Sequence, residues 1–136
     1  MTSSKKSGFT LIELLVVIAI ITILAAIVFA SLNTARKKGA DTKIKSELAN
    51  ARTQAELYYN TNQFSYGGIC SDSTFISMVN DDLDGGGNNC QDSDTAWAVS
   101  VTLNTPGAEK WCVDSIGFSG IGTPNPSANP IGCVPQ

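Results

Sequence analysis

The chain has 136 residues, a formal net charge of −3 and no histidine, and its composition is uneven: apolar over 9–32, mixed and basic over 33–62, and rich in Gly, Asn, Ser, Thr and Asp over 63–136. With no histidine, a Ser–His or Cys–His nucleophile is excluded, and neither a phosphate-binding loop nor a dinucleotide fingerprint is present, so no enzymatic role is expected. After Arg52 the single base, Lys110, stands against nine acids, a charge balance that opposes nucleic-acid binding.

The N-terminal segment is the most informative. Phe9 to Leu32 gives 24 residues, about 36 Å as a helix, enough to cross a bilayer core of roughly 30 Å. Helix is required there because hydrocarbon offers no partner to a free backbone N–H or C=O. The run is too long for the apolar core of a secretory signal peptide. Glu13 lies five residues into it, and a carboxylate at bilayer depth costs about 2.5–3.5 kcal/mol on insertion scales. No Lys or Arg lies within the run to pair with it. Its partner is therefore expected from outside the helix: interfacial water, another chain, or an amine made by cleavage between Gly8 and Phe9.

Lys5-Lys6-Ser7-Gly8-Phe9-Thr10-Leu11-Ile12-Glu13 closely resembles the leader and first turn of bacterial type IV prepilins and type II secretion pseudopilins. The resemblance covers roughly residues 5–30. It implies cleavage after Gly8 by a prepilin peptidase, N-methylation of Phe9, and a role for Glu13 in assembly. It also implies a single-pass inner-membrane protein that joins a cell-surface filament, with copies of itself, an assembly machine and, before assembly, the lipid bilayer as partners. Within it, a pilus subunit, a secretion pseudopilin and a minor or DNA-uptake pilin stay open, the last being the one setting in which nucleic acid enters. A monomeric membrane-anchored binding module is the reading from another class. The resemblance departs at Ala30, where many members carry a helix-bending proline; the first proline here is Pro106.

Basic residues flank the apolar run on both sides, Lys5 and Lys6 before it and Arg36, Lys37 and Lys38 after it, so charge alone leaves the orientation open. The cysteines decide it, since they need an oxidising side; residues 1–8 are then a cytoplasmic leader and the C-terminal part lies outside. The basic stretch from Arg36 to Arg52 fits either anionic headgroups or the solvated start of a helix.

Residues 33–62 continue the helix, with Ile44, Leu48, Ala51, Ala55 and Tyr58 forming a stripe at spacings of four and three. Asn60, Asn62 and Gly67-Gly68 mark its exit. Residues 63–136 are expected to form a small head. Ser73–Val79 reads as one or two helical turns. Asn80, Asp82 and Asp84 followed by Gly85 match the opening of an EF-hand-like calcium loop, but its twelfth position is Gln91 rather than Glu, so a plain polar loop is preferred and calcium is the one cofactor to consider. Trp97, Val99, Val101 and Leu103 alternate as a half-buried strand, Thr105-Pro106-Gly107 is a turn, and Trp111, Val113, Ile116 and Phe118 form the returning strand. The four prolines between Gly120 and Gln136 predict an irregular tail.

Cys70, Cys90, Cys112 and Cys133 lack zinc-site spacing and read as two disulfides. Three pairings are open; sequential pairs close the shortest loops and favour Cys70–Cys90 and Cys112–Cys133. Each such loop of about 20 residues stabilises by roughly 3 kcal/mol in the chain-entropy picture. The expected fold is α+β: a long N-terminal helix, its second half amphipathic, packed on a small antiparallel sheet with disulfide-tied loops.

Overall fold

The structure, a computed structural model, describes residues 8–79, 89–107 and 109–136. Helix α1 runs Leu11–Thr61, a short 3-10 turn covers Ile69–Ser71, and helix α2 covers Ser73–Val79. Five strands follow: β1 Asn89–Asp92, β2 Trp97–Thr102, β3 Lys110–Asp114, β4 Ser119–Asn125 and β5 Gly132–Pro135. They form one antiparallel meander in the order β1-β2-β3-β4-β5. The α+β expectation holds: a long helix with its second half packed on an antiparallel sheet tied by two disulfides.

The chain divides into two units, the first ending at Arg36 and the second spanning Lys37–Gln136. In the first, no proline interrupts the helical hydrogen bonds, and straight-chain and β-branched apolar residues fill nearly every position. All sixteen large apolar side chains from Phe9 to Leu32 are exposed. This helix is long and apolar enough to cross a membrane.

In the second unit the stripe Ile44, Leu48, Ala51 and Ala55 is buried, and Tyr58 packs at its edge. It meets Phe75 and Val79 of α2, Ile69, and the inner face of the sheet at Trp97, Val99, Val101 and Val113. Ala51 and Ala55 let the sheet approach closely, while Leu48 and Trp97 fill the volume; full burial of a side chain such as Leu48 contributes about 1.5–3 kcal/mol. Phe75 meets the Trp97 ring edge-on at 5.4 Å between centroids.

Strand β2 differs from the half-buried expectation, because Ala98 and Ser100 are as buried as Trp97 and Val99. Ser100 lies opposite Cys112 in register, and Cys112 is bonded to Cys133, so small side chains and a disulfide cover the outer face. The second disulfide, Cys70–Cys90, packs against the inner core. The returning strand ends at Asp114, and Ile116 and Phe118 fall in the turn before β4, Ile116 being exposed.

The irregular tail is the larger correction. Residues 119–125 and 132–135 pair as β4 and β5 with Pro124 opposite Cys133. The prolines are tolerated because Pro124 lies where β4 has run past its pairing with β3, which stops at Ile121, and Pro135 ends the edge strand β5, so a missing N–H on an open side removes no ladder bond; Pro126 and Pro130 lie in the connection. Gly122 permits the pairing, since a Cβ there would collide with the Val134 carbonyl oxygen.

At the exit of α1, Gln63 and Phe64 both take left-handed backbone conformations, with φ of 54° and 60°. The Phe64 N–H donates to the Tyr59 carbonyl at 3.0 Å, and the Phe64 ring meets Tyr59 edge-on. Gly68 follows at φ 88°. The loop is held by Tyr66, whose hydroxyl donates to Glu56 Oε1 at 2.8 Å. Burial pushes that hydroxyl up to about 12, and the bond to Glu56 acts in the same direction.

Candidate functional site

The sequence places its candidate site residues at the start of α1. Gly8 and Phe9 precede the helix, exposed and outside regular secondary structure, with Phe9 at 87% exposure. Thr10 is the residue before the first helical position. Its hydroxyl accepts the Glu13 N–H at 3.3 Å, and Glu13 Oε2 accepts both the Thr10 N–H and the Thr10 hydroxyl at 2.8 Å. This is a reciprocal capping box, Thr10-Leu11-Ile12-Glu13, in which two otherwise orphaned helix-start N–H groups find acceptors. A carboxylate in the first turn also complements the partial positive charge at a helix N-terminus.

The geometry amends the expectation that Glu13 has no partner on its own helix. Thr10 supplies two donors, and it does so because positions three apart at a helix start face one another. The spacing Thr-x-x-Glu before an apolar run was the signal available in the sequence. No cation lies within reach of Glu13 among the described residues, so the carboxylate is hydrogen-bonded but not neutralised.

Below the cap, the helix offers only apolar and small side chains, with two threonine hydroxyls, Thr22 and Thr34, turned back onto carbonyls of the preceding turn. That arrangement satisfies each hydroxyl without a partner outside the helix. The surface is suited to lipid or to other apolar helices.

In the head, two acids serve structure. Asp114, fully buried at the end of β3, accepts the N–H groups of Ile116, Phe118 and Cys133 at 3.1, 2.8 and 2.8 Å. Asp41, on α1, accepts those of Asn104 and Thr105 at 2.6 and 3.2 Å, fastening the β2–β3 connection to the helix. Burial pushes the Asp41 carboxyl up, but the hydrogen bonds from Asn104 and Thr105 outweigh it, and the net direction is down from the ordinary value of 3.8. A carboxylate depressed in the folded state contributes stability that is fully present above its unfolded pKa and is lost as pH falls through the lower folded value. The head is therefore expected to melt at lower temperature as pH drops below about 4, and Asp41→Asn to flatten that acid limb in thermal melts of the full-length protein between pH 3 and 6. An unchanged limb in the variant would assign the acid sensitivity elsewhere.

The candidate calcium residues Asn80, Asp82 and Asp84 lie outside the described residues. Among the described residues no group of three or more His, Cys, Asp or Glu side chains is placed to hold a metal ion.

Residues 3–29 match the family described as the prokaryotic N-terminal methylation motif. The chain is also 48% identical over 65 residues to the type IV wide pilus major component PilA4 of Thermus thermophilus, an alignment covering 43% of this chain and 50% of the relative. The chain thus matches about half the length of that curated relative. No solved structure matches it. The methylation motif, the partial identity to a type IV pilus component and the capped apolar helix followed by a disulfide-tied antiparallel sheet make this chain similar to type IV pilins.

Proposed function

We propose that the chain is a structural subunit of a type IV pilus-like filament, not an enzyme, assembled through its N-terminal helix. The observation that carries this reading is the conjunction of a hydrogen-bonded but un-neutralised Glu13 with sixteen exposed apolar side chains behind it. So large an apolar surface is stable only in lipid or against other helices.

In this reading residues 1–8 are a leader on the cytoplasmic side, 9–32 a membrane and then filament-core helix, 33–62 its amphipathic continuation, and 63–136 the outward head. A prepilin peptidase cuts between Gly8 and Phe9, and the new Phe9 terminus is methylated. The Thr10–Glu13 box survives the cut, because it uses the Thr10 N–H and hydroxyl and not the amine. Cleavage then supplies the missing cation. The Phe9 amine of one subunit meets Glu13 of its neighbour, so the carboxylate is neutralised only when subunits pack. Apolar helix faces bury one another, and an assembly machine outside this chain supplies the work. The relative's designation as a major pilus component favours a filament subunit over a secretion pseudopilin.

Mass spectrometry of the mature N-terminus tests the reading. The chain is expected to begin at Phe9, eight residues shorter than the sequence, and to carry one methyl group. A mature chain that still began at Met1 would overturn it and favour a monomeric anchored module.

A further inference from the structure

The second unit contains an open cleft of about 500 Å³ beside residues 38–45 of α1. Lys38, Asp41, Thr42 and Lys45 line one bank, and their spacing of three, four and seven residues puts them on one face of the helix. Trp111 and Glu109 line the other bank, with the Lys45 ammonium 4.3 Å from the centre of the Trp111 ring. Asp41 accepts the Asn104 and Thr105 N–H groups and forms no direct ion pair with either lysine. Neither Lys38 nor Lys45 forms an ion pair among the described residues. Two cations thus line the cleft together with two acids, Asp41, which is fastened by backbone N–H groups, and the exposed Glu109. The lining is partly apolar, with Leu103 and Ile121 beside Trp111 among its residues.

We propose that this cleft binds a phosphate ester, and that in the unassembled subunit the phosphate is that of an anionic phospholipid headgroup. Two lysines about 10 Å apart along the helix can converge on a phosphate through their flexible stems. An indole ring beside them is suited to the interface between hydrocarbon and water. Lys38 closes the basic run Arg36-Lys37-Lys38, which follows the apolar segment after three polar or small residues, Asn33, Thr34 and Ala35. Basic residues next to a span are attracted to anionic leaflets by about 1 kcal/mol each. The general run explains attraction to the surface; the cleft adds a site that selects the headgroup. The lipid source rests on the membrane placement proposed above, whereas phosphate binding by the cleft does not.

The test uses the full-length protein in neutral detergent micelles, with Trp111 emission as the readout and the Trp111→Phe variant to subtract the buried Trp97. Short-chain phosphatidylglycerol, short-chain phosphatidylcholine and inorganic phosphate are titrated separately. Phosphatidylglycerol is expected to shift the emission saturably, and Lys38→Glu/Lys45→Glu to weaken its apparent affinity at least fivefold more than Arg36→Glu/Lys37→Glu, which changes charge equally outside the cleft. Lys38→Gln/Lys45→Gln repeats the comparison should the reversal misfold. Equal weakening by both pairs would overturn the site in favour of a diffuse basic attraction. Inorganic phosphate binding as tightly as phosphatidylglycerol would keep the phosphate site and overturn its lipid source. An emission change that follows protein concentration in place of added lipid would overturn the proposal and make the cleft a contact between copies. Resistance of the protein to alkaline extraction from membranes, measured separately, reports the membrane placement itself.

Discussion

Glu13→Val is expected to insert in the membrane normally and to yield at least tenfold fewer filaments. The insertion step gains, because a carboxylate that costs about 2.5–3.5 kcal/mol at bilayer depth is replaced by an apolar side chain. Under the proposed pairing assembly loses, because the neighbour's Phe9 amine would be left in apolar surroundings without a counter-charge. Removing one member of a buried pair typically costs 3–5 kcal/mol, and about 1.4 kcal/mol already makes a tenfold change in an equilibrium.

The capping geometry makes this experiment sharper than the substitution alone. Glu13 caps its own helix, in the proposed assembly it is also the counter-ion for a neighbour, and valine removes both. Glu13→Gln separates them. A glutamine oxygen can still accept the Thr10 N–H, as capping boxes with Gln do, but it carries no charge. If charge pairing governs assembly, the Gln variant fails nearly as badly as the Val variant. Filaments at normal yield from Glu13→Gln, counted by electron microscopy of sheared material, would show that Glu13 acts as a helix cap and that the proposed pairing with the amine is not needed.

Asp114→Ala is expected to destabilise the head by about 3 kcal/mol or more, since each buried N–H left without an acceptor costs roughly 1–3 kcal/mol. Three such groups depend on this carboxylate. For a unit of this size that corresponds to a fall in melting temperature on the order of 15 °C. The effect should be visible with both disulfides intact. Asp114→Asn, which keeps an acceptor oxygen, should fall between the two. A shift below about 2 °C for the alanine variant would show that water takes over the three donors. The consequence reaches function through shape: Asp114 holds the turn to β4 and the start of β5, the strand that Cys133 ties to Cys112. In the proposed filament the head, with this Cys-bounded segment, faces outward. A loosened Asp114 site is therefore expected to alter the filament surface before it alters the helix core.

The two acids in the head show why sequence reading stops where it does. Asp41 and Asp114 look like solvated carboxylates in an acidic, Gly-rich chain, and nothing near Asp41 in sequence marks it as an acceptor. Its donors, Asn104 and Thr105, lie 63 and 64 residues away. The donors at Ile116 and Phe118 are near Asp114, but the N–H of Cys133 is 19 residues on. Strands β4 and β5 were hidden for a related reason. Proline argues against a strand wherever its neighbours are unknown, and only the end of the β3 pairing at Ile121 and the position of β5 at the sheet edge make Pro124 and Pro135 acceptable.

What the amino-acid order determined by itself is the N-terminal half: a span-length apolar helix, the N-terminal methylation motif, an acid within the apolar run, and the amphipathic stripe that follows. These are legible because helical hydrogen bonds and caps join residues three or four apart, so cause and effect lie within one turn. Tertiary structure alone decided which strands pair, which face of β2 is covered, where Asp41 and Asp114 find their donors, and that Lys38, Lys45 and Trp111 share a cleft. Those depend on partners brought together from distant parts of the chain, and their energies exist only once the helix and the sheet have packed.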